Sequence, residues 1–339
     1  MLILLRTYLI SALGVGAFFL LSLPLPFLLG PITACLIAAL AGLDLRGQVM
    51  VNEAMRAILG VAVGATLTLP VVLSMGAMWP TLAMIPVMIA VIGAIGIPYF
   101  MRLWGFDFAT SYYSAMPGGL QDMLIFGEEA GGDVRALSLI HATRVMVIVM
   151  VLPFVLRLIW DVDLGNAPGA PAASLPPMQM VIMVIAGFVG WQVAKRIGLF
   201  GASILGPLIV AALLAITGVL EYRPPAEAIF AAQFFIGMVV GTKYSGVTGH
   251  EVRRDVLAAL GFCLIILILA LVFAEVAVFW GLAPHLEALL AFAPGGQAEM
   301  TVLALIVGAD VAFVVAHHLL RIFVVILGAP VAAYIFNRK

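Results

Sequence analysis

Two stretches, AMPGGLQDM at residues 115–123 and FAPGGQAEM at residues 292–300, place a helix breaker, two glycines and an acid inside a very apolar chain. Proline has no amide to donate and glycine tolerates open backbone angles. Pro117, Gly118 and Gly119, and likewise Pro294, Gly295 and Gly296, should therefore stop a helix and leave backbone polar groups unpaired. In a bilayer such groups are tolerated only where they are buried in protein or line a watery cavity. A helix restarting just after Gly119 or Gly296 would aim free amides and its positive dipole end at that cavity, where an anion would be stabilised. Asp122 and Glu299 fall in the first turns of these half-helices, with Gln121 and Gln297 beside them. At mid-membrane depth the two acids would be proton or sodium sites; elsewhere they would only stabilise the helix dipole.

A second constellation follows each motif. Asp133, His141 and Arg144 are spaced by 8 and 3 residues, which at about 100° per residue keeps them within roughly 80° of one helix face. Asp310, His318 and Arg321 repeat the spacing, and His317 makes the second stripe denser. A polar stripe of this kind must face protein or water rather than lipid. Asp133 and Asp310 read as helix N-caps. The His–Arg pairs have two readings: a clamp that holds the helix to its neighbours, or direct binding of an anionic substrate with proton movement.

The elements that position these residues follow from composition. Of 339 residues 65% are hydrophobic and 10% charged, where a soluble domain carries about 25% charged residues. Apolar stretches long enough to cross a bilayer recur throughout, and no sustained two-residue alternation suggests a β-barrel. The net charge of −1 offers no basic footprint for nucleic acid. Cys35 and Cys263 sit inside apolar runs and read as small hydrophobes. Arg6 before the first apolar run resembles a signal peptide, but no small-residue cleavage site follows, so this run reads as the first membrane helix.

The chain repeats itself. A shift of 177 positions brings Pro117-Gly118-Gly119 onto Pro294-Gly295-Gly296, Asp122 onto Glu299, Met123 onto Met300, Asp133 onto Asp310, His141 onto His318, Arg144 onto Arg321 and Pro153 onto Pro330. The same shift pairs Gly60 and Gly64 with Gly237 and Gly241, whose Gly-x-x-x-Gly spacing suits close helix packing. The expected organisation is a membrane repeat over residues 1–160, a Pro/Gly/Ala-rich linker over 161–177 and a second repeat over 178–339. Helices are expected near 4–23, 27–42, 54–70, 81–100 and 133–159, with counterparts near 178–195, 202–220, 226–242, 255–280 and 310–336.

Each Pro-Gly-Gly segment could cross once as a broken helix or dip in and return. Re-entrant segments leave five crossings per repeat, and then Arg6, Arg46, Arg102, Lys195, Arg196, Lys243, Arg253, Arg254, Arg338 and Lys339 all face the cytoplasm, with Arg157 and Arg223 as exceptions. The expected fold is thus an all-α polytopic membrane protein of two inverted-topology repeats, with about ten transmembrane helices, two re-entrant Pro-Gly-Gly hairpins and both termini cytoplasmic.

These motifs, "AMPGGLQDM" with "DVRALSLIHATRV" and "APGGQAEM" with "DVAFVVAHHLLRI", resemble the AbrB duplication family of bacterial membrane proteins over nearly the whole chain. The resemblance implies an inner-membrane protein, and its members are variously described as transporters, ammonia monooxygenases and regulators of gene expression. A monooxygenase would need a copper or iron site, whereas His141, His250, His285, His317 and His318 form no compact ligand motif. No enzyme, cofactor or metal is expected. The leading expectation is a secondary transporter of a small solute or organic anion, coupled to protons or sodium, with the lipid bilayer as its surroundings and self-association left open. The alternative is a membrane sensor or scaffold acting indirectly on gene expression, docking through the loop at residues 244–255.

Overall fold

A computed structural model describes residues 2–161, 164, 168–199 and 201–337. In chain order the helices are α1 (Leu2–Leu20), α2 (Pro26–Leu40), α3 (Val49–Gly64), α4 (Leu69–Ser74), α5 (Trp79–Pro98), α6 (Phe108–Ala115), α7 (Leu120–Glu129), α8 (Val134–Trp160), α9 (Pro177–Arg196), α10 (Ala202–Ile216), α11 (Ala226–Thr242), α12 (Gly249–Glu251), α13 (Leu257–Phe279), α14 (His285–Phe292), α15 (Gln297–Val307) and α16 (Val311–Asn337). No strand occurs among the described residues. Helices α6 and α14, and again α8 and α16, begin and end 177 residues apart, the same shift that aligns the sequence motifs.

Most expected helices lie within a few residues of their places. The third is the exception: it starts at Val49 rather than near 54 and stops at Gly64 rather than near 70. Pro70 has no amide to extend that helix, and it sits instead in the first turn of α4, where a missing donor costs little. Among the described residues six helical stretches are long and apolar enough to cross a membrane, and α2, α10 and α11 are shorter apolar helices of 15 to 17 residues. At about 1.5 Å per residue these shorter ones fall below the roughly 30 Å hydrocarbon core. Arg338 and Lys339 lie outside the described residues.

The helices form two compact units, and each unit draws on both halves of the sequence. The first comprises Met1–Ala77, Leu152–Gly246 and Ala298–Ala312; the second comprises Met78–Val151, Val247–Gln297 and Phe313–Lys339.

Within the first unit α1 packs on α2 and α9 on α10, while α3 packs on α10 and α11 on α2. Hydrocarbon tails are as apolar as leucine, so helices here gain little from burying apolar surface and must associate through close backbone approach. Glycines supply it at corresponding places. A methyl at Gly30 would overlap the backbone of Gly14, and one at Gly206 the carbonyl of Gly190. Gly60 and Gly64 ride on the carbonyls of Ile204 and Leu208, just as Gly237 and Gly241 ride on those of Leu28 and Ile32. Cys35, buried in α2, places its Sγ 3.2 Å from Ser11 Oγ. The opposite faces carry exposed Leu9, Leu13, Val184, Ile185 and Phe188, as a lipid-facing surface requires. At one end Arg6 donates to the Asp44 carbonyl, the Arg46 amide donates to Thr7 Oγ1, and the Leu45 amide donates to Ser245 Oγ.

Within the second unit α5 and α13 pack together. The Tyr99 hydroxyl donates to the Ala258 carbonyl at 2.9 Å, and Phe262 packs against both Tyr99 and Phe100. Helix α6 lies on α5, and α14 on α13. This scaffold presents the two helix ends at which the Pro-Gly-Gly motifs begin.

The close crossings generate a differential prediction. Gly206→Ala should lower stability by roughly 1–3 kcal/mol, because backbone rather than a movable side chain opposes the methyl. Gly16→Ala, which meets open space, should be neutral or mildly stabilising. Thermal unfolding of the two variants in one detergent compares them; equal shifts would contradict the close-crossing account.

Candidate functional site: two clamped helix breaks

Helix α6 stops at Ala115 and α7 begins at Leu120, so Met116 and the Pro-Gly-Gly triplet form the break. In an unbroken helix the carbonyl of Tyr113 would accept from the amide four residues on. That residue is Pro117, which has none. His141 of α8 supplies the missing donor: its Nε2 lies 3.0 Å from the Tyr113 carbonyl. Because a carbonyl only accepts, the imidazole must carry its proton on Nε2 here. One turn further along α8, Arg144 donates from Nη1 to the Met116 carbonyl and from Nη2 to the Gly118 carbonyl, each at 3.0 Å. Histidine and arginine thus pair three carbonyls that the break would leave bare.

The second copy repeats every contact. Pro294 deprives the Leu290 carbonyl of its helical donor, and His318 Nε2 replaces it at 2.9 Å. Arg321 donates from Nη1 to the Ala293 carbonyl at 3.1 Å and from Nη2 to the Gly295 carbonyl at 2.9 Å. Its Nη2 also lies 3.3 Å from His318 Nδ1, which accepts. His141, Arg144, His318 and Arg321 are all buried. Of the two readings of the His–Arg pairs, the clamp is therefore present as geometry in both copies.

The chain doubles back at the first break. Asp107 caps α6 by accepting from the Thr110 amide at 2.9 Å, and the Asp133 amide at the far end of α7 donates to Thr110 Oγ1 at 2.8 Å. The start of α6 and the end of α7 are therefore neighbours, and residues 107–133 form a hairpin with Pro117 to Gly119 at its tip. Asp133 also accepts from the Arg135 and Ala136 amides, so it is the N-cap of α8. This end is pinned by an ion pair at 2.6 Å between Arg135 and Glu251, and by Arg254 lying over the Phe106 ring at 4.2 Å.

The tip of the first hairpin touches the helix that carries the second clamp: a methyl at Gly118 would stand 2.9 Å from Val325 Cγ1, one turn beyond Arg321 on α16. Yet among the described residues neither guanidinium has a carboxylate partner, and the buried Nε of each has no acceptor. Two buried cations are thus held without a carboxylate counter-charge among the described residues. Removing a charge from water costs several kcal/mol unless something anionic or well hydrated compensates it.

The remaining predicted residues are placed as follows. Asp122 is half-buried in the first turn of α7, and the side chain of Gln121 lies outside the described residues. Gln297 opens α15 with a buried Nε2 that has no partner among the described residues. Glu299 is buried in the first turn of the same helix, but it belongs to the first unit whereas the clamps belong to the second. His317 turns away from the clamp. Its Nδ1 donates to the Phe313 carbonyl at 2.8 Å within its own helix, and its ring packs on Phe313 and Phe292. The sequence reading overlooked Thr110 and Ser114, both buried in α6; a run of small hydroxyls just before the break was the available signal. No group of three or more histidine, cysteine or acidic residues suited to a metal occurs among the described residues.

If His141 replaces the amide that Pro117 lacks, the two positions must be coupled. His141→Ala should destabilise the protein, and adding Pro117→Ala should recover about 1 kcal/mol of that loss by restoring an amide donor. The pair Pro294 and His318 should behave alike. A double-mutant cycle of unfolding free energies measures the coupling, and strict additivity would refute the replacement.

The family model described as "Transition state regulatory protein AbrB" matches residues 27–337. A protein of Bacillus subtilis (strain 168) named "Uncharacterized protein YhjN" is 26% identical over 293 residues, covering 80% of this chain and 75% of that protein. A protein of Escherichia coli (strain K12) named "Putative regulator AbrB" is 25% identical over 320 residues, covering 92% of this chain and 90% of that protein.

Proposed function

The chain belongs to the AbrB family, and from that premise we propose that it is a secondary transporter of a small anion, an organic acid in the first instance, coupled to protons or sodium through alternating access. One observation carries the reading. Arg144 and Arg321 are both buried with no carboxylate partner among the described residues, at broken helix ends of opposite copies. Each guanidinium spends its Nη donors on the tip carbonyls, which fixes the tips rigidly and leaves the positive charge itself uncompensated. The restarting helix α7 adds the positive end of its dipole. An anion entering at the tips would meet two fixed cations and the first-turn amides without any rearrangement.

In this reading ten helices cross the inner membrane, the Pro-Gly-Gly hairpins are re-entrant, and the two repeats are inverted with both termini cytoplasmic. The doubling back of residues 107–133 supports re-entry of the first hairpin. Charged ends support the orientation: Arg6, Asp44, Arg46 and Ser245 share one end of the first unit, and Arg135, Glu251 and Arg254 share one end of the second. The positive-inside count assigns both sets to the cytoplasm. Asp122 and Glu299 are the candidate coupling-ion sites.

A regulatory reading is favoured by the name of the Escherichia coli relative alone. It would act through the cytoplasmic segment where Thr248 and Glu251 form a capping box beside Arg253 and Arg254.

Uptake into proteoliposomes under an imposed proton or sodium gradient tests transport, with small mono- and dicarboxylates and inorganic anions as solutes. Arg144→Gln and Arg321→Gln, checked for folding, should each lower uptake by at least about tenfold through loss of a charge-assisted contact. Cysteines at Gly119 and Gly296 should react with aqueous reagents and be protected by the transported anion. No uptake of any solute, or unchanged uptake in both folded arginine variants, would end the transport reading. Arg253→Ala with Arg254→Ala should spare uptake; loss of gene regulation in that variant alone would favour the regulatory one.

A further inference from the structure

The first unit contains a cavity of about 620 Å³ at the end of α1 remote from Arg6, and neither the clamps nor the transport reading uses it. Three observations mark it as built for a ligand. First, the three non-glycine residues with left-handed backbone among the described residues, Ser22 at φ 51°, Leu25 at φ 50° and Asp161 at φ 50°, all line this one cavity. L-residues adopt that conformation only at a cost in free energy that surrounding structure must offset, and such residues gather at functional sites.

Second, its wall carries two exposed charges of opposite sign and one buried amide that the fold leaves unsatisfied. Arg157 closes the last turn of α8, where a cation suits the helix dipole. Asp161 directly follows the same helix, where an acid opposes the dipole. The two stand four residues apart without forming an ion pair, and neither has another charged partner among the described residues. Gln233 of α11 is 1% exposed, and its Nε2 has no acceptor among the described residues. A buried amide donor left unpaired costs the full loss of its hydration unless something in the cavity receives it.

Third, four phenylalanines, Phe18, Phe19, Phe27 and Phe230, share the wall with prolines and aliphatic side chains. The Phe19 and Phe27 rings meet edge to face with centroids 5.5 Å apart, and Phe27 stacks on Phe230 at 4.7 Å. Aromatic faces beside a carboxylate are a recognition surface for alkylammonium groups, and a guanidinium with an amide donor is one for an oxyanion.

We propose that this cavity binds a zwitterionic ligand, with its phosphate or carboxylate oxygens on Arg157 and Gln233 and its ammonium between Asp161 and the phenylalanine rings. The volume lies in the range of ordinary small-molecule sites, which are mostly apolar with a few convergent polar groups. Two sources share this chemistry: the headgroup of a zwitterionic phospholipid, and a free zwitterion in solution.

Native mass spectrometry of the full chain in detergent separates them, with dioleoylphosphatidylethanolamine, dioleoylphosphatidylglycerol and water-soluble glycerophosphoethanolamine as probes. Phosphatidylethanolamine should bind about tenfold more tightly than phosphatidylglycerol, which lacks the ammonium. Asp161→Asn should abolish that preference, and Arg157→Gln should weaken both lipids by about tenfold. Gln233→Glu, nearly isosteric, should weaken both by repelling the oxyanion, with its unfolding temperature checking that the fold is intact. Binding of the phospholipid alone identifies a lipid site, and equal binding of glycerophosphoethanolamine identifies a free zwitterion. The proposal is overturned if neither ethanolamine compound binds better than phosphatidylglycerol, or if Arg157→Gln and Asp161→Asn leave their binding unchanged.

Discussion

A helix that stops at a proline inside a membrane protein leaves carbonyls that water cannot reach, and each must find a donor or the break cannot persist. Here the donors come from the helix that follows the hairpin. His141 and His318 take the place of the amides that Pro117 and Pro294 lack, and Arg144 and Arg321 satisfy the next carbonyls along. The eighth and eleventh residues after the aspartate that precedes each of these helices thereby reach the break at the end of the first half-helix of the hairpin, past the second half-helix that lies between them in sequence. Much else follows from that constraint: α8 and α16 must pass behind the tips, and the half-helices must end where the clamps can hold them.

The same constraint creates a charge problem. Arginine offers the fork of donors that two neighbouring carbonyls need, but it brings a full positive charge that neutral carbonyls only partly offset. At each tip the same guanidinium brings the positive charge and fixes the carbonyls. In the proposed transport reading a structural device and an anion site are one set of atoms. This is why the even choice between clamp and binding role, posed by the residue types alone, does not force a decision between them.

Packing elsewhere follows a different rule. In the first unit, glycine-to-carbonyl crossings recur at positions related by the internal repeat, and the third helix of each copy lies on the second helix of the other. Such exchange explains why each compact unit contains segments from both halves of the sequence. Apolar periodicity carries no information about this, because these helices are apolar on nearly every face and lipid competes equally for all of them. The cavity with Asp161 and Gln233 was equally illegible, since its strained residues are ordinary Ser, Leu and Asp in sequence and acquire meaning only through backbone angles.

What the amino-acid order determined by itself is the membrane character, the repeat at a shift of 177, the helix limits to within a few residues and the spacing that puts His141 with Arg144 and His318 with Arg321 on one face. Those are properties of composition and of helical geometry, which depend on neighbours along the chain. Which carbonyls the four side chains meet, that the first tip touches α16, that Glu299 lies in the other unit from the clamps, and that Arg157, Asp161 and Gln233 line one cavity were decided by tertiary structure. The reason is physical: a hydrogen bond or an uncompensated charge is a relation between groups brought together in space, and residues separated by 26 or 28 positions acquire it only when the chain folds back.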